Sequence, residues 1–160
     1  MLNDKKLKIT SPSFENNYMM PKKHTGFGED ISPAFKIENM SHKAVSIAII
    51  MDDLDVVFSN EYNHWCIWNI PKTNEIAENI PYGKTVPILG NAVQGVGYGK
   101  NRYRRPKQPI FIRNIHRYIF RIFILDTFID LDSNSNKDDL MKAMSGHILQ
   151  EGSITGKYKR

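Results

Sequence analysis

Three short polar stretches hold the residues best suited to chemistry: Asp53-Leu54-Asp55, Asn63-His64-Trp65 and His116-Arg117-Tyr118. Each adjoins an apolar run of the kind that forms a buried strand. An unpartnered buried polar group costs roughly 1–3 kcal/mol, so such residues gather where they satisfy one another or a ligand. If the strands bring these stretches together at one end of a sheet, they line a small polar pocket with apolar walls. That pocket suits an anion. Asp53 would orient a protonated histidine or accept a ligand proton, and His64, His116 and Tyr118 would donate to anion oxygens.

Other chemistry for the same residues is weighed against plainer roles. Asp53 and Asp55 share parity, so two nearby carboxylates could split their pKa values or bind a metal. They could equally pair with Arg117 or Arg121, or cap a turn. His64 and Cys66 also share parity on one strand, which raises a thiol nucleophile. With Trp65, Ile67 and Trp68 around it, Cys66 reads instead as a small buried hydrophobe. Two His and two Asp can ligate zinc or iron, but their spacing forms no compact ligand motif, and we assign no metal and no cofactor. There is no Gly-x-Ser-x-Gly. Gly95-Val96-Gly97-Tyr98-Gly99 lacks both the strand-to-helix setting of a dinucleotide loop and the Lys-Ser/Thr of a P-loop.

The elements that must position these groups read mainly as strands. Lys6 to Ile9 and Ala34 to Glu38 alternate, as half-buried strands do. Ala44 to Met51 is continuously apolar, the pattern of a central strand covered on both faces, and is expected to stop at Asp52 and Asp53. His64 to Ile70 is a strand ended by Pro71. Ile115 to Leu125 puts His116, Tyr118, Phe120, Ile122 and Ile124 on one face, with Arg117, Ile119, Arg121, Phe123 and Leu125 on the other. Residues 72–114 read as a long irregular region rich in Pro and Gly. One helix starts at Asn136, with Asp138 and Asp139 at its positive end, an apolar stripe from Leu140 to Ile148 and a stop at Gly152. Ile154 to Tyr158 is a last short strand. The fold class is mainly β, an antiparallel β-sandwich with a few peripheral helices.

The bulk numbers narrow the setting. A chain of 160 residues is one domain, 1–160, with 41% hydrophobic and 24% charged residues. No run approaches the ~20 apolar residues of a membrane span, and no apolar stretch follows the charged start as in a secretory signal. The one cysteine excludes an intrachain disulfide and points to a reducing, cytoplasmic setting. The net charge of +5 is uneven. Residues 79–125 contain no Asp or Glu but nine Lys and Arg, leaving 13 basic and 17 acidic residues elsewhere. Either an anionic partner uses this positive segment or acids elsewhere in the fold neutralise it.

In this order the motifs resemble the phosphatidylethanolamine-binding protein family, in its bacterial Raf-kinase-inhibitor-like branch. Gly28-Glu29-Asp30-Ile31-Ser32-Pro33 is similar to the early Gly-x-[Asn/Asp]-Ile-Ser-Pro turn. Ser46 to Val57 resembles the buried strand that leads to Asp-Pro-Asp-Ala-Pro. His64-Trp65 with Trp68-Asn69-Ile70-Pro71, and His116-Arg117-Tyr118 through Leu125-Asp126, resemble two further family motifs. The tail from Leu140 to Arg160 agrees as well. The resemblance implies a sandwich of antiparallel sheets. It also implies a pocket for phosphate-like head groups at Asp53, His64, His116 and Tyr118, with Asp55, Arg117 and Pro106 in support. Two departures stand out. Leu54 and Val57 replace prolines of the Asp-Pro-Asp-Ala-Pro motif, and Arg104 and Arg105 stand where glycines would let backbone approach a ligand.

The function expected is therefore non-enzymatic binding of a phosphate or other small anion, with regulation of a partner kinase or protease implied by the family. One alternative is a small hydrolase using the Asp/His cluster. Another is nucleic-acid binding by the basic segment 100–121, with Tyr98, Tyr103 and Phe111 stacking on bases. Ile88, Leu89, Val93 and Val96 read as exposed apolar residues that leave room for a homodimer.

Overall fold

The computed structural model describes residues 6–56, 62–104, 106 and 114–159. Ten strands and one α-helix are found among them. The strands are β1 (Lys8–Thr10), β2 (Tyr18–Met19), β3 (Phe35–Glu38), β4 (Ser46–Asp53), β5 (Tyr62–Pro71), β6 (Glu75–Ile76), β7 (Thr85–Val86), β8 (Ala92–Gln94), β9 (His116–Leu125) and β10 (Ile148–Tyr158). The helix α1 spans Lys137–Met144. A three-stranded sheet has the order β1-β3-β6, and a seven-stranded sheet the order β2-β10-β9-β4-β5-β8-β7. All pairings are antiparallel except that of β2 with β10, which is parallel. Among the described residues no helix is long and apolar enough to cross a membrane.

The expected central strand lies at the middle of the large sheet. Every residue of β4 is buried, and its neighbours are β5 and β9. One face of the sheet turns Ile47, Ile49, Met51, Trp65, Ile67, Tyr118, Phe120, Ile122 and Ile124 toward Ile9, Phe35, Ile37 and Ile76 of the small sheet. The other face packs Ala48, Ile50, Cys66, Trp68, Phe123 and Leu125 against Leu140 and Met144 of α1. Each fully buried large apolar side chain contributes roughly 1.5–3 kcal/mol of burial. The two-residue period read along β9 is the one that divides its residues between these cores.

The structure corrects several expected boundaries. β4 does not stop short of its acids. It runs on through Asp52, opposite Ile119, and Asp53, opposite Tyr118. The helix ends at Met144 rather than near Gly152. Its Asn136 cap holds as expected, in a capping box with Asp139, but Ser145 and a left-handed Gly146 (φ 84°) turn the chain after two turns. Ile148 then pairs with Leu125, so the tail forms an eleven-residue strand. Residues 72–114, expected to be irregular, contain β6, β7, β8 and a 3-10 turn at Pro87–Leu89. Of the apolar residues expected to be exposed, Ile88 is, whereas Leu89 and Val93 pack against the two cores and Val96 is half-buried.

Gln94 organises the loop that follows β8. It is fully buried. Its amide oxygen accepts from Trp65 Nε1 at 2.9 Å, and its nitrogen donates to the carbonyls of Pro81, Gly83 and Asn101 at 2.9–3.2 Å. Asn101 returns a bond to the Gln94 carbonyl at 2.7 Å. Buried amides with every site satisfied fix a loop in one arrangement. This loop carries Tyr98 and Arg104 to the end of the large sheet where the polar stretches meet.

Candidate functional site

Asp53 is the last residue of β4, and Tyr118 faces it across the ladder from β9. His116, two residues before Tyr118, is on the same side. Its Nδ1 lies 2.8 Å from Asp53 Oδ2, and both side chains are buried. The other carboxylate oxygen, Oδ1, accepts the Asp55 backbone N–H at 2.9 Å. Asp53 is therefore held by both oxygens, and His116 is held at one nitrogen.

His64 reaches the same place through a bulge. Met51 pairs with Trp65, but Asp52 pairs with Asn63, so His64 is an extra residue in β5. The bulge shifts its parity. His64 lies edge-on to Tyr118 with ring centres 5.6 Å apart, while Cys66 faces the α1 side of the sheet. The expectation that His64 and Cys66 share a face is therefore wrong. Burial pushes the Cys66 thiol up to about 12, which leaves it protonated and unreactive at neutral pH. A second shift in β5, between its pairings with Ile47 and Ile49, includes Asn69 in the left-handed region (φ 59°). The Asn69 amide grips the Ile129 backbone by its N–H and its C=O.

The three polar stretches thus converge. The Tyr118 ring lies 5.6 Å from that of His64 and 6.3 Å from that of His116. Tyr98 and Tyr62 close around His64, with ring centres at 5.1 and 5.7 Å. The Arg104 guanidinium lies over the Tyr98 ring at 4.5 Å. The Arg104 carbonyl, 3.1 Å away, takes the Nδ1 hydrogen of His64. Sequence reading missed this contact, because a main-chain acceptor leaves no mark in residue type. Burial, the largest influence on it, holds His64 below the usual histidine range, against opposing pulls from the Arg104 bond, Asp53 and Asp52.

Of the expected supporting residues, Asp55 and Arg117 lie at the margin of the cluster. Arg117 grips Asp55 by Nε and Nη2, both at 2.9 Å, and its backbone N–H adds a third bond at 2.7 Å. The Arg117 bond is the main reason the Asp55 carboxyl sits below its ordinary range. A depressed carboxyl contributes stability that is complete above its unfolded value of about 3.8 and drains away as pH falls through the lower folded value. Asp55→Asn should therefore lower denaturation stability near neutral pH, modestly because the pair is largely exposed. The gap to wild type should close in acid; a gap that stays constant down to about pH 2 would refute this role. Pro106 is buried, and its carbonyl accepts from Gly26 N–H at 3.0 Å.

The basic segment is partly neutralised from elsewhere in the fold. Arg102 pairs with Asp30, Arg117 with Asp55 and Arg121 with Asp52. Tyr103, expected as a stacking residue, is 1% exposed and donates its hydroxyl to the His24 carbonyl at 2.7 Å, so it is not available to a base. Arg105, Lys107, Phe111 and Arg113 lie outside the described residues, as does Val57. Among the described residues no three His, Cys, Asp or Glu side chains gather to hold a metal ion.

The fold has counterparts among known proteins. The family model described as phosphatidylethanolamine-binding protein matches residues 10–159. A UPF0098 protein of Pyrococcus horikoshii is 38% identical over 155 residues, covering 96% of this chain and 77% of the relative. Another, of Methanothermobacter thermautotrophicus, is 35% identical over 156 residues, covering 96% and 99%. A solved phosphatidylethanolamine-binding protein homologue of Chlamydia trachomatis superposes with a TM-score of 0.82 at 28% identity, over 97% of this chain and 98% of that one. YbcL of E. coli, described as a new member of the mammalian family, gives 0.86 at 21% identity over 98% and 99%, a likeness of fold.

Proposed function

The chain belongs to the phosphatidylethanolamine-binding protein family, and from that premise we propose that it is a single-domain, non-enzymatic binding module for a small anion such as phosphate or a phosphorylated head group. Asp53, His64, His116 and Tyr118 form the pocket, and Asp55, Arg117 and Pro106 support it. The observation that carries this reading is the pair of imidazoles near Tyr118, each fixed through Nδ1. Among the described residues neither Nε2 has a hydrogen-bond partner. Rings fixed at one nitrogen present the other to a ligand without further ordering, and a buried setting strengthens each bond they make.

No activated nucleophile adjoins the imidazoles among the described residues, since Cys66 is on the opposite face with its thiol protonated. That favours binding over hydrolysis. The lone buried thiol goes with a reducing, cytoplasmic setting. Regulation of a partner kinase or protease, the family-level expectation, would act through occupancy of the pocket.

Calorimetric titration with inorganic phosphate tests the assignment. His116→Ala removes one of the two presented nitrogens and leaves Asp53 without its imidazole. Affinity should fall by about tenfold or more. Equal affinity in wild type and variant would reject the pocket.

A further inference from the structure

Resting on the anion-pocket reading above, we propose that this pocket selects anions that bring a hydrogen of their own, namely hydrogen phosphate or the hydrogen form of a phosphate monoester, over fully ionised oxyanions of the same shape. One nitrogen of each ring, Nδ1, is already engaged. A neutral imidazole carries one N–H. The partner of His64 Nδ1 is a backbone carbonyl, which only accepts, so the hydrogen sits on Nδ1. The partner of His116 Nδ1 is a carboxylate that already accepts the Asp55 N–H on its other oxygen, so that hydrogen sits on Nδ1 too. With its ring neutral, His64 offers an anion a nitrogen lone pair, near the Asp53 carboxylate. A ligand oxygen without a hydrogen meets His64 Nε2 lone pair to lone pair. An oxygen that carries one donates to it.

The charged and titratable neighbours come from every wall of the site. Asp53 lies at the end of β4, with Asp52 on the reverse side of the same strand. β9 brings His116, Arg117 and Tyr118, β5 brings Tyr62, and the loop brings Tyr98 and Arg104. Burial and His116 oppose a second proton on His64, while Asp53 and Asp52 favour one; burial is the largest of these. His64 then obtains its hydrogen bond most readily from the ligand.

Phosphate and sulfate separate the two requirements. At about pH 8 both are predominantly tetrahedral dianions that differ by one hydrogen, whereas methyl phosphate, with its last pKa near 6, has lost that hydrogen. Calorimetric titration of the whole chain at about pH 8 should show phosphate binding about tenfold or more tighter than sulfate. Methyl phosphate should weaken by about tenfold or more between about pH 5 and pH 8. Sulfate that binds as tightly as phosphate at about pH 8, or methyl phosphate indifferent to pH, overturns the hydrogen requirement and leaves the anion pocket standing. If none of the three anions binds, the anion pocket falls and this inference with it.

Discussion

Asp52→Ala is expected to destabilise the fold by about 3 kcal/mol, more than the loss of any supporting residue around the pocket. Asp52 is fully buried on the face of β4 opposite Asp53. Its carboxylate meets Lys137 Nζ at 2.9 Å, the Asn63 amide at 3.0 Å and Arg121 Nη1 at 3.7 Å. The Lys137 side chain is only 15% exposed. Removing the acid takes a carboxylate from a largely desolvated ammonium, and breaking a buried ion pair from one side costs more than replacing both charges. The double variant Asp52→Ala/Lys137→Met removes both charges and should recover a good part of the loss. Urea unfolding of wild type, single and double variants decides the matter. A double variant no more stable than the single one would show that packing, and not the broken ion pair, sets the penalty.

The second large effect is expected at Gly99. A Cβ there would lie 2.1 Å from the Arg102 carbonyl oxygen, 2.9 Å from the His64 carbonyl oxygen and 2.9 Å from Arg104 Cβ. Two of these are backbone atoms, and the Gly99 N–H itself donates to the His64 carbonyl at 2.9 Å. Gly99→Ala must therefore push the 99–104 loop away from β5, at a cost of about 1–3 kcal/mol of overpacking. The displaced segment includes Arg104, whose carbonyl holds His64. Phosphate affinity should fall together with stability, by about tenfold. A variant that loses stability but keeps wild-type affinity would show that Arg104 has no part in orienting His64.

Much of the fold was legible because strands leave a two-residue period in side-chain type. The apolar run at Ala44 to Met51 and the two faces of His116 to Leu125 are placed as their patterns imply. Position along a strand was less legible, since a bulge changes facing without changing composition. His64 is the telling case: simple alternation pairs it with Cys66, and one extra residue in the register sends it to Tyr118 instead. The helix end was misread because Ile148 continues an apolar stripe that Gly146, turned into the left-handed region, had already ended. Gln94 could have been noticed as a lone amide inside an apolar strand. The reach of its bonds, across Pro81, Gly83 and Asn101, follows from a loop path that no local pattern encodes.

The candidate site was legible as a set of residue types and less so as a set of bonds. Asp53, His64, His116 and Tyr118 are brought together as expected. Asp52, adjacent in sequence to Asp53, serves the opposite face with Lys137 and Arg121, because alternation sends neighbouring side chains apart. Asp55 has the parity of Asp53 but lies beyond the end of β4, where it turns to Arg117. The excess of positive charge in residues 79–125 is drawn down by Asp30, Asp52 and Asp55.

What occupies the space beside the two Nε2 atoms decides whether this pocket holds an anion. A crystal of the protein grown with inorganic phosphate answers this in one electron-density map. Tetrahedral density within hydrogen-bond reach of both His64 Nε2 and His116 Nε2 is the predicted result. Phosphate bound elsewhere while that space stays empty, or the two rings turned outward into solvent, would contradict it.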